Sequence, residues 1–268
     1  MHCNTAIHDF NPQPGHAILP GLVNHQNRVV TLIGGGGKTS LMYLWAKFLQ
    51  AAGRRAITTT TTKLSAAQRS GVDLICADSL DKARQLLSAE NRPKRIRAIH
   101  GGLLPDTGKV AGLPSEWIDM LSKEFPNTIF FVEGDGSAER SLKGHLPHEP
   151  VIPDSTTLLV PVIGLDVIGK PLSEAFVHRS DVFCRIAGAI PGRIVTPAVA
   201  ANALFNSSGY LSKARRHTTI LPFLNKAETR DGWKNGCELA KKILAANYPG
   251  LDRVLIGSAN HNQFLVLP

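Results

Sequence analysis

Short, nearly continuous hydrophobic runs alternate along this chain with longer stretches in which apolar residues recur at helical spacing. Such runs are typical of buried strands, and the helical spacing is typical of amphipathic helices. The runs predict strands at residues 28–33, 55–59, 72–77, 96–100, 128–133, 157–163, 218–224, 253–256 and 264–267. The spacing predicts helices at residues 41–52, 79–88, 115–125, 197–205 and 231–246. This alternation predicts an α/β fold in which helices cover both faces of a mainly parallel sheet.

Length and composition favour one domain. The 268 residues suffice for one large α/β domain or two small ones, and neither a linker nor a repeat divides them. We therefore expect an N-terminal extension at residues 1–27 and a single domain at residues 28–268. No stretch reaches the ~18 apolar residues of a membrane span, and the N-terminus lacks the pattern of a signal peptide. We expect a cytoplasmic protein without a membrane partner.

Charge and cysteines exclude some further classes. The net charge is +9, but the densest basic clusters, residues 92–97 and 213–216, are not interleaved with aromatic residues. Solvated loops and helix faces explain them better than nucleic-acid binding does. The four cysteines, which are Cys3, Cys76, Cys184 and Cys237, lie far apart without a C-x-x-C motif. This favours reduced thiols over a zinc site or disulfides.

A glycine loop directly after the first predicted strand is the clearest functional signal. The segment consists of Gly34, Gly35, Gly36, Gly37, Lys38, Thr39 and Ser40. Four glycines leave room for backbone N–H groups to turn toward an anion, which the positive end of the next helix also attracts. In a nucleoside triphosphate site, Lys38 would contact the β- and γ-phosphates and Thr39 would contact Mg²⁺. The usual G-x-x-x-x-G-K-[ST] spacing would need glycine at Leu32, so the fit is to a shorter G-x-x-G-K-T loop. A plain glycine turn is the alternative.

Polar residues at the ends of two other predicted strands suit the same site. Five threonines at residues 58–62, Thr60 among them, offer hydroxyls to Mg²⁺ or phosphate, and Lys63 offers a second cation. Threonine is also an ordinary strand residue. Glu133 and Asp135 follow a strongly apolar run, where a carboxylate can orient Mg²⁺ and a second one can position the attacking water. A turn built on Gly-Asp-Gly is the alternative.

Residues 225–228 read N-K-A-E, close to the N-K-x-D signature of guanine recognition. Asn225 and Lys226 fit that signature, while Glu228 replaces its aspartate. The base therefore stays open between adenine and guanine, with a narrow preference for ATP. A polar turn at a strand end explains the segment equally well.

Two further loops carry groups without an assigned role. His145, His148 and Glu149 could ligate a metal, although the neighbouring prolines favour an extended loop over a helix face. A second substrate or a sensor is conceivable at Asp166, Lys170, His178 and Arg179.

The order of these motifs resembles a known family. The motifs are G-G-G-G-K-T-S, the threonine run with Lys63, V-E-G-D-G-S, H-E-P-V-I-P, G-L-D-V-I-G-K-P-L and V-H-R. Together they resemble the YqeC family of accessory proteins for selenium-dependent hydroxylases, over about residues 29–226. The family usually has E-A-D-G-S-K where this chain has Gly134 and Ala138 in place of the alanine and the final lysine. Arg140 or Lys143 could substitute for that lysine.

The resemblance implies a P-loop-like three-layer fold that binds ATP or GTP with Mg²⁺. It also implies a role in maturing molybdenum hydroxylases, with such an enzyme or its cofactor-insertion machinery as partner. Our first hypothesis is therefore a maturation factor that hydrolyses a nucleoside triphosphate. The second is a kinase or an ATP-dependent ligase acting on a small molecule, because the loop also resembles that of the Mur ligases. A module that binds nucleotide without reaction is the third.

Overall fold

The structure of the protein is a computed structural model that describes residues 11–24, 26–65, 71–89, 95–105 and 107–268. Its helices are α1 (Gly15–Ile18), α2 (Lys38–Ala51), α3 (Leu80–Ser88), α4 (Ser115–Glu124), α5 (Ser180–Ala187), α6 (Pro197–Phe205) and α7 (Arg230–Ala245). Its strands are β1 (Gln13–Pro14), β2 (Val29–Gly34), β3 (Arg55–Thr60), β4 (Leu64–Ser65), β5 (Val72–Cys76), β6 (Ile96–His100), β7 (Gly102–Leu104), β8 (Lys109–Ala111), β9 (Thr128–Glu133), β10 (Leu142–Lys143), β11 (Leu158–Gly164), β12 (Val177–His178), β13 (Thr219–Ile220), β14 (Phe223–Asn225), β15 (Val254–Ser258) and β16 (Gln263–Leu267). Short 3-10 helices lie at Leu19–Leu22 and Leu165–Val167.

The largest sheet has the strand order β1-β16-β15-β14-β11-β2-β9-β3-β6-β5, with β13 beside β11. Neighbours from β15 to β5 pair in parallel, whereas β16 pairs antiparallel with β15 and with β1. The strand before the glycine loop, β2, lies between β11 and β9 in the middle of the sheet. Because the carboxyl ends of parallel strands meet at one edge, the polar segments after β2, β9 and β14 share that edge.

Helices cover both faces of this sheet, as the hydrophobic pattern predicts. In β11, Leu159 and Ile163 join the core formed with α5, α6 and α7. Val160 and Val162 point to the opposite face and join the core formed with α2. A third cluster packs α3 and α4 against β2, β3, β6 and β9. The α/β class and the mainly parallel sheet are therefore confirmed.

One predicted strand and one missed helix need correction. The predicted strand at residues 218–224 is divided into β13 and β14 at Pro222, because proline has no N–H group to donate to a sheet. The hydrophobic pattern also missed α5, although it has ordinary boundary signals: Asp181 in its first turn and Gly188, with φ of +63°, directly after its last residue.

The described part of the predicted N-terminal extension packs on the domain. Strand β1 pairs with β16, and Leu19 and Leu22 are buried in the core that contains α2. The indole N–H of Trp45 donates to the carbonyl of Leu19 at 2.6 Å. Leu19 and Leu22 of the predicted extension are therefore part of the core.

Cys76, Cys184 and Cys237 are not joined by disulfides, as expected. Cys3 and residues 92–94 of the predicted basic cluster lie outside the described residues. In the described ranges, no helix combines the length and the apolar character that crossing a membrane requires.

Candidate functional site

The glycine loop, residues 34–37, joins the end of β2 to the start of α2. Gly34, Gly36 and Gly37 have φ values of +93°, +83° and +112°, which other residues rarely adopt. A Cβ on Gly36 would lie 2.4 Å from the backbone nitrogen of Gly164, and one on Gly37 would lie 2.4 Å from the side-chain nitrogen of Asn225. Glycine is therefore needed here for close approach to neighbouring segments as well as for the turn.

The N–H groups of the glycine loop have internal acceptors. The N–H of Gly34 donates to both carboxylate oxygens of Asp135 at 3.0 Å. The N–H of Gly35 donates to the carbonyl of Val162 at 3.0 Å, and the N–H of Gly36 donates to the carbonyl of Arg140 at 2.9 Å. The sequence predicts that these N–H groups converge on one anion. In this structure they do not. The first N–H groups of α2, on Lys38, Thr39 and Ser40, have no intrahelical acceptor, so the start of this helix is where a phosphate would be bound.

Lys38 lies between two acids at the end of β9. Its Nζ is 3.2 Å from Asp135 Oδ1 and 3.7 Å from Glu133 Oε1, and it donates to the carbonyl of Gly34 at 2.5 Å. Burial alone would lower the pKa of Lys38, but the carboxylates of Asp135 and Glu133 outweigh it and raise the pKa. Lys38 is therefore a buried ammonium that stays charged.

Thr39 and Glu133 offer adjacent oxygen ligands. The Thr39 hydroxyl donates to Glu133 Oε2 at 2.7 Å. Hydroxyl and carboxylate oxygens are the hard ligands that Mg²⁺ prefers. The carboxylates of Glu133 and Asp135 already stabilise one cation here, the ammonium of Lys38. The side chains of Thr39 and Glu133 therefore fit the expected Mg²⁺.

Asp135 is surrounded by donors. Besides the N–H of Gly34 and the ammonium of Lys38, it contacts His145 Nε2 at 2.5 Å and Lys143 Nζ at 3.6 Å. Burial would raise the pKa of Asp135, but Lys38, His145 and Lys143 hold it well below its usual range. The carboxylate is ionised and its acceptor sites are occupied by the protein itself.

A second charged group lies behind this carboxylate. Lys143 is fully buried with its Nζ 2.9 Å from Glu149 Oε2, and Arg179 pairs with the same oxygen. Burial would raise the pKa of Glu149, but these two cations lower it. His148 is exposed while His145 faces inward, and no His, Cys, Asp or Glu cluster suited to a metal occurs in the described parts of the chain. The structure therefore does not bring His145, His148 and Glu149 together: His145 contacts Asp135, and Glu149 contacts Lys143 and Arg179.

Sequence reasoning missed Tyr210. Its hydroxyl accepts from the backbone N–H of Lys143 at 3.1 Å, and its ring packs edge-on against His145 with centroids 4.7 Å apart. Burial raises the pKa of Tyr210. No motif surrounds this tyrosine in the chain, so only the fold reveals that it supports the segment behind Asp135.

The threonine run mainly serves the sheet. The hydroxyls of Thr58 and Thr59 donate to carbonyls of β6, and the hydroxyl of Thr60 donates to the carbonyl of Glu133 at 2.9 Å. Thr60 therefore reaches the site through the backbone of Glu133. Lys63 is exposed and forms no ion pair with Glu133 or Asp135.

Asn225, at the end of β14, reaches the glycine loop, and Lys226 follows it in the chain. The Asn225 side chain donates to the carbonyl of Gly36 at 2.6 Å. Lys226 Nζ donates to Ser141 Oγ and to Asp166 Oδ2, both at 2.8 Å. The fold thus brings Asn225 to the glycine loop, whereas Lys226 contacts the neighbouring segment at Ser141 and the 3-10 helix at Asp166.

The four groups assigned to a second substrate or a sensor do not form one cluster. Asp166 pairs with Lys226 and Arg179 pairs with Glu149, whereas Lys170 lies 5.9 Å from the ring centre of Phe176. Burial lowers the pKa of His178, and the charges of Arg179 and Lys143 lower it further.

Comparisons with known proteins agree with the order of motifs. The model of the YqeC family matches residues 30–181, which include the glycine loop, both acids and Arg179. A relative from Escherichia coli (strain K12), "Uncharacterized protein YqeC", is 33% identical over 163 residues. That match covers 61% of this chain and 62% of the relative, somewhat less than two thirds of the relative's length.

Proposed function

The chain belongs to the YqeC family, and we propose that it binds and hydrolyses a nucleoside triphosphate with Mg²⁺ to assist the maturation of a molybdenum hydroxylase. One observation carries the nucleotide proposal. Lys38 and Thr39, at the start of the helix after a glycine loop, contact Glu133 and Asp135 beside the end of the neighbouring strand.

Lys38 is the proposed phosphate ligand. Its ammonium is charged, lies next to the glycine loop and belongs to the first turn of α2, where the helix dipole also attracts anions. A triphosphate brings more negative charge than the carboxylate of Glu133 and can replace it as a partner of Lys38. Each charged hydrogen bond of this kind contributes about 1.5–3 kcal/mol.

The two acids have different roles in this proposal. Glu133 contacts Thr39 and Lys38 and keeps further acceptor sites, since a carboxylate has about four. We assign Glu133 and Thr39 to Mg²⁺, which when bound neutralises phosphate charge. Asp135 already accepts from the protein on both oxygens, so we assign it to positioning Lys38 and the glycine loop.

The glycine loop also offers a route from nucleotide to partner. The N–H of Gly36 donates to the carbonyl of Arg140, and Asp135 contacts Lys143 and His145 in the following segment. A change in the contacts of Lys38 would therefore change the contacts of residues 140–149 with Asp135 and the glycine loop. We propose that this segment transmits the state of the nucleotide. The selenium-dependent molybdenum hydroxylase as client rests on the family resemblance.

Release of inorganic phosphate tests the hydrolysis. The full chain should release phosphate from ATP or GTP in the presence of Mg²⁺, and Glu133→Gln should lower the rate by 10²-fold or more while nucleotide still binds. Glu116→Gln, which changes an exposed glutamate, is the matched control and should keep the wild-type rate.

Two outcomes would contradict the hydrolysis proposal. Equal rates in Glu133→Gln and wild type would remove Glu133 from the site. Nucleoside diphosphate formation that requires an added small-molecule acceptor would favour a kinase or a ligase over a maturation factor. A kinase would leave the phosphoryl group on the acceptor, whereas a ligase would release it as phosphate.

A further inference from the structure

The loop after β14 is joined to the glycine loop by a buried side chain. Asn225 Nδ2 donates to the carbonyl of Gly36 at 2.6 Å, and Asn225 Oδ1 accepts from the N–H of Ala259 at 3.0 Å. Asn225 is 4% exposed, so both bonds are shielded from water. One amide therefore fixes the distance between the glycine loop and the loops that follow β14 and β15.

Lys226 provides a second link to the same place. It has φ of +64°, an uncommon conformation for a residue other than glycine and one that often occurs at functional sites. Its Nζ donates to Ser141 Oγ, and the carbonyl of the preceding residue, Arg140, accepts from the N–H of Gly36. The aliphatic part of Lys226 is thus held at both ends, between the loop after β14 and the surroundings of Gly36.

Glu228 lies in the same loop with its carboxylate oriented. Its Oε1 accepts from the hydroxyl of Ser258 at 2.9 Å, and His261 Nδ1 lies 3.8 Å from the same oxygen. Ser258 is buried, whereas 34% of the Glu228 side chain is exposed. The carboxylate is therefore held by a rigid neighbour and remains accessible to a ligand.

We propose that the loops after β14 and β15 bind the base of the nucleotide, and that this base is guanine. The inference rests on the proposed function, because it requires the phosphates to lie at the glycine loop. Asn225 and Lys226 link the loop after β14 to the glycine loop and its neighbouring segment. A ligand with a phosphate at one end and a base at the other requires such a fixed distance between its two binding loops. The stem of Lys226 provides an apolar surface for the base.

The chemistry of the carboxylate selects guanine. A glutamate carboxylate accepts hydrogen bonds, and guanine offers two adjacent donors, its N1–H and its exocyclic amine. Adenine has an unprotonated N1 on the corresponding edge, which would face the carboxylate without a hydrogen bond. The contact with Ser258 holds the longer glutamate side chain in place of the aspartate in the N-K-x-D signature. This reverses the narrow preference for ATP from the sequence alone.

Competition among triphosphates for one fluorescent guanine nucleotide tests the inference on the full chain with Mg²⁺. Wild type should bind GTP about 100-fold more tightly than ATP, because a site built for hydrogen bonds rejects a base that cannot make them. Glu228→Gln should weaken GTP and strengthen xanthosine triphosphate. Xanthine has a carbonyl in place of the guanine amine, and the glutamine side chain can donate to it. Glu238→Gln, at an exposed glutamate of α7, is the control and should keep the wild-type ranking.

The possible failures are distinguishable. If wild type and Glu228→Gln both bind triphosphates with the same ranking of GTP, ATP and xanthosine triphosphate, the guanine inference is overturned while the nucleotide site stands. If the wild type binds no triphosphate in direct titration, both the proposed function and the guanine inference are overturned. Thermal unfolding of Glu228→Gln within the range of the control variant confirms that the comparison concerns binding.

Discussion

At the scale of single residues, position relative to a strand end decides what the sequence reveals. Lys38, Glu133 and Asp135 were predictable because each lies within five positions of the end of a hydrophobic run and a glycine precedes or follows it. The sequence suggests for Lys143 only the role of a substitute phosphate cation, because a buried lysine resembles any exposed one in sequence. Its complete burial against Asp135 and Glu149 results from tertiary packing that no local pattern encodes.

Asp135→Asn should flatten the loss of stability in acid. The folded pKa of Asp135 lies below its ordinary value, so its stabilising contribution is complete above the unfolded pKa of about 3.9 and disappears as the pH falls through the lower folded pKa. The free energy of unfolding should therefore fall less between about pH 5 and pH 2 in the variant than in the wild type. At pH 7 the variant should be about 3–5 kcal/mol less stable, because Lys38 loses a buried partner.

Urea unfolding at a series of pH values measures this difference. Asp252→Asn is the control, because that side chain is 81% exposed, and its curve should follow the wild type. Parallel curves for Asp135→Asn and wild type would show that the charge of Asp135 is not the stabilising element.

At the scale of elements, the hydrophobic pattern predicted most strands of the sheet and most helices that cover it. Its predictions were wrong or incomplete where a proline or a short element interrupts the pattern. Pro222 divides one predicted strand because it lacks an N–H group. Helix α5 has only eight residues, so its periodic pattern is short and easily missed despite its ordinary boundary signals. The glycine loop was predicted in place, but the internal acceptors of its N–H groups come from distant segments and were not predictable.

Gly36→Ala tests how closely the glycine loop is packed. Gly36 has φ of +83°, and a Cβ there would lie 2.4 Å from the backbone nitrogen of Gly164. Gly169 has nearly the same φ, +85°, with open space around it, so Gly169→Ala carries the backbone cost of about 1–2 kcal/mol alone. Gly36→Ala should lose a further 1–3 kcal/mol, roughly the cost of overpacking, and should also lose nucleotide affinity. Chemical denaturation measures the free energy of unfolding of Gly36→Ala and Gly169→Ala. Equal losses of stability in the two variants would contradict the close packing.

At the scale of the whole molecule, the parallel sheet gathers at one edge residues that are far apart in the chain. Asn225 and Gly36 are 189 positions apart and share a hydrogen bond. The sequence predicted that the ends of β2, β9 and β14 would meet, because parallel strands share an edge. It did not predict which side chains would connect them, since such contacts depend on the order of the strands and on the exact loop conformations. The burial of Leu19 and Leu22, from the predicted N-terminal extension, also depends on tertiary packing that the sequence pattern did not reveal.

Calorimetric titration of the full chain with GTP and with ATP, with and without Mg²⁺, tests the central claim most directly. We predict Mg²⁺-dependent binding by the wild type and at least ~10-fold weaker binding by Lys38→Ala, since 1.4 kcal/mol corresponds to one decade of affinity. Lys47→Ala, at an exposed lysine of the same helix, should titrate like the wild type. Absence of binding by the wild type, or identical titration curves for a folded Lys38→Ala and the wild type, would contradict the account.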